Sequence, residues 1–259
     1  MSVEARGIRF SYQPERTVLR GVDLLAADSE VTFVLGANGS GKTTLLQILI
    51  GLLAPQEGRV SVDGRPIDRL SPRARARRIA LVPQSHPPRP GFTVSETVVM
   101  GRAARLGAFS TPRAAEWAAA DAALEALGIA SLADRSHAKL SGGERQLAMI
   151  ARGLAQGANT LALDEPDAHL DPAYQQRVLS ALARLAERGM ALLLTSHQPN
   201  NALVYAHSVV FLVGGVAAPQ LAPREALTEE RLEAAYGVSF NLIESPAGAR
   251  ALLPKRDGR

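Results

Sequence analysis

The chain has 259 residues, 46% of them hydrophobic, no cysteine, a formal charge of +4 and a pI near 9.8. That length and apolar content can bury a substantial core in one large domain, and the lack of cysteine excludes a disulfide framework. The positive charge does not point to nucleic acid, because it is carried by arginines scattered through the chain with few aromatics between them. The densest cluster, Arg73, Arg75, Arg77 and Arg78, reads as a solvated helical face. The longest apolar runs, such as Ala191 to Leu194 and Val209 to Val213, are far shorter than the roughly 20 residues of a spanning helix. No charged stretch followed by an apolar segment and a cleavage site opens the chain, so no secretory signal is expected.

In chain order, the segment Val3 to Leu25 and the stretch Gly58 to Ile67, with Asp63-Gly64 as a turn, read as strands of a small antiparallel sheet. Between them, Val31 to Leu35 is a buried strand ending at glycine, and Thr43 to Leu53 carries leucines and isoleucines at helical spacing. A helix-rich middle follows, with Pro112 to Leu127 alanine-rich and Leu140 to Ala155 amphipathic. Two further apolar runs end in polar residues: Thr160 to Leu163 before Asp164 and Glu165, and Ala191 to Leu194 before Thr195, Ser196 and His197. In an open parallel sheet such carboxyl ends share one edge, where ligands bind, so these distant loops are expected to converge.

Gly36-Ala37-Asn38-Gly39-Ser40-Gly41-Lys42-Thr43 matches the P-loop pattern in full and sits between a strand and a helix, as that motif requires. Lysine occurs elsewhere only at Lys139 and Lys255, so Lys42 inside a glycine loop is not compositional background. Its glycines let backbone N–H groups approach phosphate, Lys42 reaches the outer phosphates, and Thr43, followed by Thr44, can ligate magnesium. An acidic pair after a strand is by itself more often a solvated loop. Beside a P-loop, Asp164 reads as the Mg2+ carboxylate and Glu165 as the base that orients and deprotonates water. Ser141-Gly142-Gly143 opens a helix of the middle region and offers a second anion-binding end.

Leu140-Ser141-Gly142-Gly143-Glu144-Arg145-Gln146, upstream of Asp164-Glu165 and downstream of the P-loop, resembles the signature of the ABC ATPase family. The resemblance covers nearly the whole chain. It implies an α/β fold: a P-loop NTPase (RecA-like) core with a small antiparallel β-subdomain and a helical signature subdomain. Residues 1–88 and 156–217 would form the core, 89–155 the helical subdomain and 218–259 a short C-terminal extension. It also implies that Tyr12 stacks on adenine, that Gln84 contacts Mg2+ and attacking water in the Q-loop, that Asp171 communicates across a dimer, and that His197 contacts the γ-phosphate. ATP would be sandwiched between the P-loop of one copy and Ser141, Gly142, Gly143 and Gln146 of a second. Hydrolysis would drive transmembrane permease subunits at the cytoplasmic side of the inner membrane, served indirectly by a periplasmic or extracellular binding protein, with no nucleic acid involved.

Val82-Pro83-Gln84, Phe92-Thr93-Val94, Val99-Met100-Gly101-Arg102 and the ending Tyr236-Gly237-Val238 look like importer ATPases for iron-siderophore, haem and cobalamin. Asp167 stands where most relatives have threonine or serine, and is expected to add an acidic group near the γ-phosphate end. The run Ser196-His197-Gln198-Pro199-Asn200 resembles some molybdate members, which keeps oxyanion import open. A soluble ABC ATPase such as that of iron–sulphur cluster assembly is the reading from another class.

Overall fold

The protein is described by a computed structural model over residues 2–84, 87–107, 110–246, 248 and 250–255. The end of the expected C-terminal extension, residues 256–259, lies outside the described residues.

β1 (Val3–Gln13) and β2 (Arg16–Ala26) form an antiparallel hairpin, and β3 (Val31–Leu35) leads through the glycine loop into α1 (Lys42–Leu49). β4 (Glu57–Val62) then pairs with β1 and turns through Asp63 and Gly64, both with positive φ (51° and 71°), into β5 (Arg65–Pro66). This two-residue turn suits the strand twist, as the Asp-Gly pair predicts. Along β1, Val3 and Ala5 are buried and so are Ile8 and Phe10. The irregularity between Ala5 and Ile8 shifts the alternation by one residue and keeps both halves facing inward.

α2 (Pro72–Ala76) and β6 (Ile79–Val82) precede three helices, α3 (Val94–Val99), α4 (Ala114–Ala126) and α5 (Gly142–Ala155), which pack on one another. The chain returns through β7 (Thr160–Asp164), α6 (Pro172–Glu187), β8 (Ala191–Ser196), α7 (Pro199–Tyr205) and β9 (Ser208–Val213). It then turns into β10 (Val216–Ala217). α8 (Pro223–Ala226), α9 (Glu229–Tyr236) and a hairpin of β11 (Phe240–Glu244) with β12 (Arg250–Pro254) complete the described chain.

The central sheet has the order β10-β9-β3-β8-β7-β6, parallel except for β10. Its parallel strands are largely buried on both faces, which is why they read as unbroken apolar runs. Phe33, Leu163, Leu194 and Phe211 enter the core shared with α3, α4, α5 and α6, whereas Val34, Ala162, Leu193 and Val210 enter the core shared with α1 and the antiparallel sheet. The fold is therefore the expected α/β arrangement, with the carboxyl ends of β3, β6, β7 and β8 on one edge.

Two local expectations change. The first helix stops at Leu49 rather than Leu53, because Gly51 takes φ 73° and turns the chain against Ile67 and Arg75. Nor is the arginine cluster uniformly solvated. Arg75 is half-buried and donates to the carbonyls of Leu70 and Gly51, and Arg78 donates to Ala74 O. Arg73 and Arg77 remain exposed.

Candidate active site

The loop after β3 supplies the frame. A Cβ on Gly36 would lie 2.4 Å from the Leu212 carbonyl, so only glycine lets the loop leave the sheet beside β9. Gly39 and Gly41 have φ of 79° and 105°, which turn successive N–H groups toward one side of the loop. α1 starts on Gly41 with no side-chain cap and no acidic residue in its first turn. Its first N–H groups, which no helix can satisfy internally, are therefore left without a side-chain cap, and its dipole adds positive potential there. The Lys42 ammonium is 5% exposed and is anchored on the carbonyls of Gly36 (2.8 Å) and Ala37 (3.1 Å).

Above this loop lies a cleft of about 980 Å³. Asn38 to Thr44 form its floor, with Tyr12, Gln84, Glu165 and His197 around it. Gly36 and Asp164 lie just behind the lining. The Tyr12 ring is exposed, packs edge-on against Phe10 (4.9 Å) and is tied to the loop by its hydroxyl, 3.1 Å from Thr44 Oγ1.

The acidic pair is held by its neighbours. Thr43 Oγ1 donates to Asp164 Oδ2 at 2.8 Å and Thr195 Oγ1 donates to Asp164 Oδ1 at 2.6 Å. The same Thr195 oxygen accepts the Glu165 N–H at 2.9 Å, fixing Glu165 at φ 46°, a left-handed backbone conformation that costs a non-glycine residue about 1 kcal/mol or more. That conformation swings the Glu165 carboxylate over the loop. Its Oε2 accepts from Gln84 Nε2 at 2.9 Å and lies 3.3 Å from His197 Nδ1, while its Oε1 lies 3.5 Å from Lys42 Nζ. One carboxylate thus joins residues from four separate loops. Such a group, beside a cation and a histidine, can order and deprotonate a water.

Among the described residues no group of three or more His, Cys, Asp or Glu could cage a metal. A Thr hydroxyl paired with one carboxylate is a donor set suited to Mg2+, which keeps most of its ligands from water and phosphate. The buried Ser40 hydroxyl has no hydrogen-bond partner among the described residues and lines the same cleft, so it is open to an incoming acceptor.

The signature residues are not brought to this cleft. Ser141 caps α5, its Oγ accepting from Glu144 N (3.2 Å) while Glu144 Oε2 accepts from Ser141 N (2.8 Å). The Ser141 N–H, chiefly, then the Ser141 hydroxyl and Arg135 on the other carboxylate oxygen, hold the Glu144 carboxyl below its usual range against an opposing effect of burial. Gly142 faces open space, whereas a Cβ on Gly143 would meet the Tyr174 ring at 2.2 Å. Gln146 is buried. Asp171 caps α6, its Oδ1 accepting from Ala173 N and Tyr174 N.

The structure corrects the expectation for Asp167. It is fully buried and absent from the cleft lining, so it adds no carboxylate there; instead it accepts from Ser196 Oγ and Asn201 Nδ2. Burial, with the Asp167 and Glu165 charges, pushes the nearby Tyr236 phenol up. Sequence reasoning missed Thr195, His169, and the cleft wall made by Arg16, Val18, Arg20 and Gly215. The wall had a signal, since residues 16, 18 and 20 share one face of a strand. Gly215 closes it by approaching Val18 O to within 2.2 Å of where a Cβ would stand.

Residues 19–168 match the ABC transporter family. Over 98% of its length the chain is 39% identical to a hemin import ATP-binding protein of Myxococcus xanthus, covering 96% of that protein. It is 37% identical to the ferric enterobactin transport ATP-binding protein of Escherichia coli, over 92% of this chain and 89% of that one. Among solved structures it resembles a metal-chelate type ABC transporter in an inward-facing conformation, with TM-score 0.87, 30% identity and coverage of 99% and 98% of the two chains.

Proposed function

The chain belongs to the ABC transporter family as an ATP-binding, ATP-hydrolysing importer subunit, and on that premise we propose that it powers uptake of an iron-siderophore, haem, cobalamin or related metal chelate. The observation that carries the chemistry is the Glu165 carboxylate, reached at once by Gln84, His197 and Lys42 above the glycine loop. In this reading Glu165 takes the proton of the attacking water, Gln84 orients that water, and His197 contacts the γ-phosphate as charge moves onto it. Lys42, the N–H groups of the loop from Gly36 to Gly41, and the start of α1 at Thr43 and Thr44 hold the phosphates, and the exposed Tyr12 ring stacks on adenine. Thr43, Asp164 and Gln84 would hold Mg2+, which supplies charge neutralisation between the outer phosphates.

Ser141, Gly142 and Asp171 are exposed away from the cleft, with Gly143 and Gln146 buried on α5, the helix that carries the signature. Head-to-tail pairing of two copies would bring Ser141, Gly142, Gly143 and Gln146 onto the other copy's nucleotide, with Asp171 at the seam. We take residues 89–155 as the subdomain that carries the signature, 1–88 with 156–217 as the catalytic core, and 218–259 as the C-terminal extension. A groove of about 400 Å³ beside the Gln84 loop, lined by Leu81, Pro83, Met100, Gly101 and Met149, suits a docking element of the permease. No helix among the described residues is long and apolar enough to cross a membrane, which fits a peripheral position on a permease at the cytoplasmic side.

The chain-wide relatives named for hemin and ferric enterobactin transport favour a metal chelate over an oxyanion or a soluble scaffold partner. The test is ATPase activity of the chain reconstituted with its permease, with candidate binding proteins added in turn. Stimulation by a haem- or ferric-siderophore-loaded binding protein is expected; stimulation only by a molybdate-loaded one, or by a soluble scaffold protein, would overturn the cargo class.

A further inference from the structure

Among the described residues the polar partner of the His197 side chain is Glu165, 3.3 Å away, and the side chain is 42% exposed. Its position is therefore set by what holds its backbone. Both flanking residues are tied to one hydroxyl: Ser196 Oγ accepts from Gln198 N at 3.0 Å and donates to Asp167 Oδ2 at 2.8 Å. The same carboxylate oxygen accepts from Asn201 Nδ2 at 2.6 Å, and that amide group is also 3.3 Å from Gln198 Oε1. The Asp167 carbonyl is fixed in turn by Gln175 Nε2 of α6 at 3.0 Å. On the outer side of the turn, Asn200 exchanges two hydrogen bonds with the Leu252 backbone of β12, at 3.0 and 2.8 Å.

We propose that Asp167 is a positioning residue for His197, the centre of a buried carboxylate–amide strut that runs from the turn after Glu165 through Ser196 and Asn201, with the β11–β12 hairpin as its outer anchor. The proposal rests on the reading of His197 as a contributor to hydrolysis. A buried carboxylate oxygen accepting two donors is a stiff joint, because each donor loses its hydrogen bond if the turn moves. It places the histidine from behind without entering the cleft.

The experiment compares Asp167→Ala, Asp167→Asn and Asn201→Ala in Mg-ATP hydrolysis, each alone and with His197→Ala, using single-turnover assays for the slow variants. Asp167→Asn keeps an oxygen able to accept both donors and should stay within about twofold of the natural chain. Asp167→Ala and Asn201→Ala should lower kcat on the order of tenfold with KM for ATP unchanged, the split expected when only the hydrolytic step is affected. In the His197→Ala background both substitutions should lose their effect. An Asp167→Asn variant as slow as Asp167→Ala, a KM shift as large as the kcat shift, or an undiminished effect beside His197→Ala would overturn the strut. Where Asp167→Ala lacks a cooperative melt, Asn201→Ala and Asp167→Asn decide alone. Should His197→Ala itself hydrolyse like the natural chain, the histidine reading fails and this proposal with it; impaired His197→Ala with normal Asn201→Ala and Asp167→Ala sinks the strut alone.

Discussion

Two helices of this protein begin on glycine-rich turns, and the chain treats the two starts differently. α1 begins at Gly41 with no side-chain cap and no acid in its first turn. α5 begins at Ser141 with a complete capping box, the Glu144 carboxylate already seated on its first turn. Both starts carry the same partial positive charge. The uncapped one keeps that charge for an incoming anion and is surrounded by Lys42, Tyr12, Gln84, Glu165 and His197 within one cleft. The capped one has its Ser141 and Glu144 N–H groups already satisfied from within the chain, and its Gly142 faces open space. In the proposed reading the first is nearly a whole site and the second a fragment of one, completed only against another copy.

The hardest blow to the complete half is Glu165→Gln. It preserves shape and removes the base, so hydrolysis should fall about 10²- to 10⁴-fold while ATP binding survives and the ATP-bound dimer accumulates on gel filtration. Unchanged turnover would take Glu165 out of that role. Ser141→Arg probes the fragment: hydrolysis should drop on the order of 10²-fold, comparable to losing one charge-stabilising donor, with nucleotide affinity of the single chain intact. If that variant still dimerises with ATP, the two halves do not meet as described. Thr195→Val is subtler, because it strips one hydroxyl from beneath Asp164 and Glu165. It should cost about 1–3 kcal/mol of stability in denaturant titrations, from the buried Asp164 oxygen and Glu165 N–H left unpaired.

The smallest effect concerns the ground behind the fragment. His137, buried three residues before Leu140, accepts the Arg89 N–H on Nδ1 at 3.1 Å. Burial, then Arg145 and Arg89, hold its pKa below the ordinary 6.5. The unfolded chain takes up a proton that the folded imidazole refuses, so stability declines as pH falls below about 6.5 and is regained above it. His137→Gln should flatten that slope in melts between pH 5 and 7, values that bracket the ordinary histidine pKa; an unaltered slope would assign it to another histidine.

Much of the complete half could be read from sequence because it is local. A strand, a glycine loop and a helix occupy consecutive residues, and acids at a strand end announce their edge. What escaped depends on register between distant strands. Thr195 matters only because β8 pairs with β7 so that Thr195 stands beside Asp164. Asp167 looked like one more acid for the cleft, but the turn that lifts Glu165 over the loop at φ 46° sends Asp167 inward to Ser196 and Asn201. The end of α1 was misplaced for a similar reason: periodicity continues to Leu53, yet Gly51 is drawn toward Arg75 from a later helix. The C-terminal hairpin gave little warning, since it is held to the body partly through backbone groups at Leu252.

The Ser141 hydroxyl illustrates how a single oxygen can serve two masters. Its oxygen accepts the Glu144 N–H in closing α5, and its hydroxyl also helps hold the Glu144 carboxyl below its usual range. In the proposed pairing of two copies, turning the hydroxyl hydrogen toward a phosphate on the other copy would leave in place the Glu144 N–H bond that caps the helix. Threonine could keep both halves of this arrangement and alanine neither, since a side chain needs an acceptor to cap the helix and a donor to offer outward.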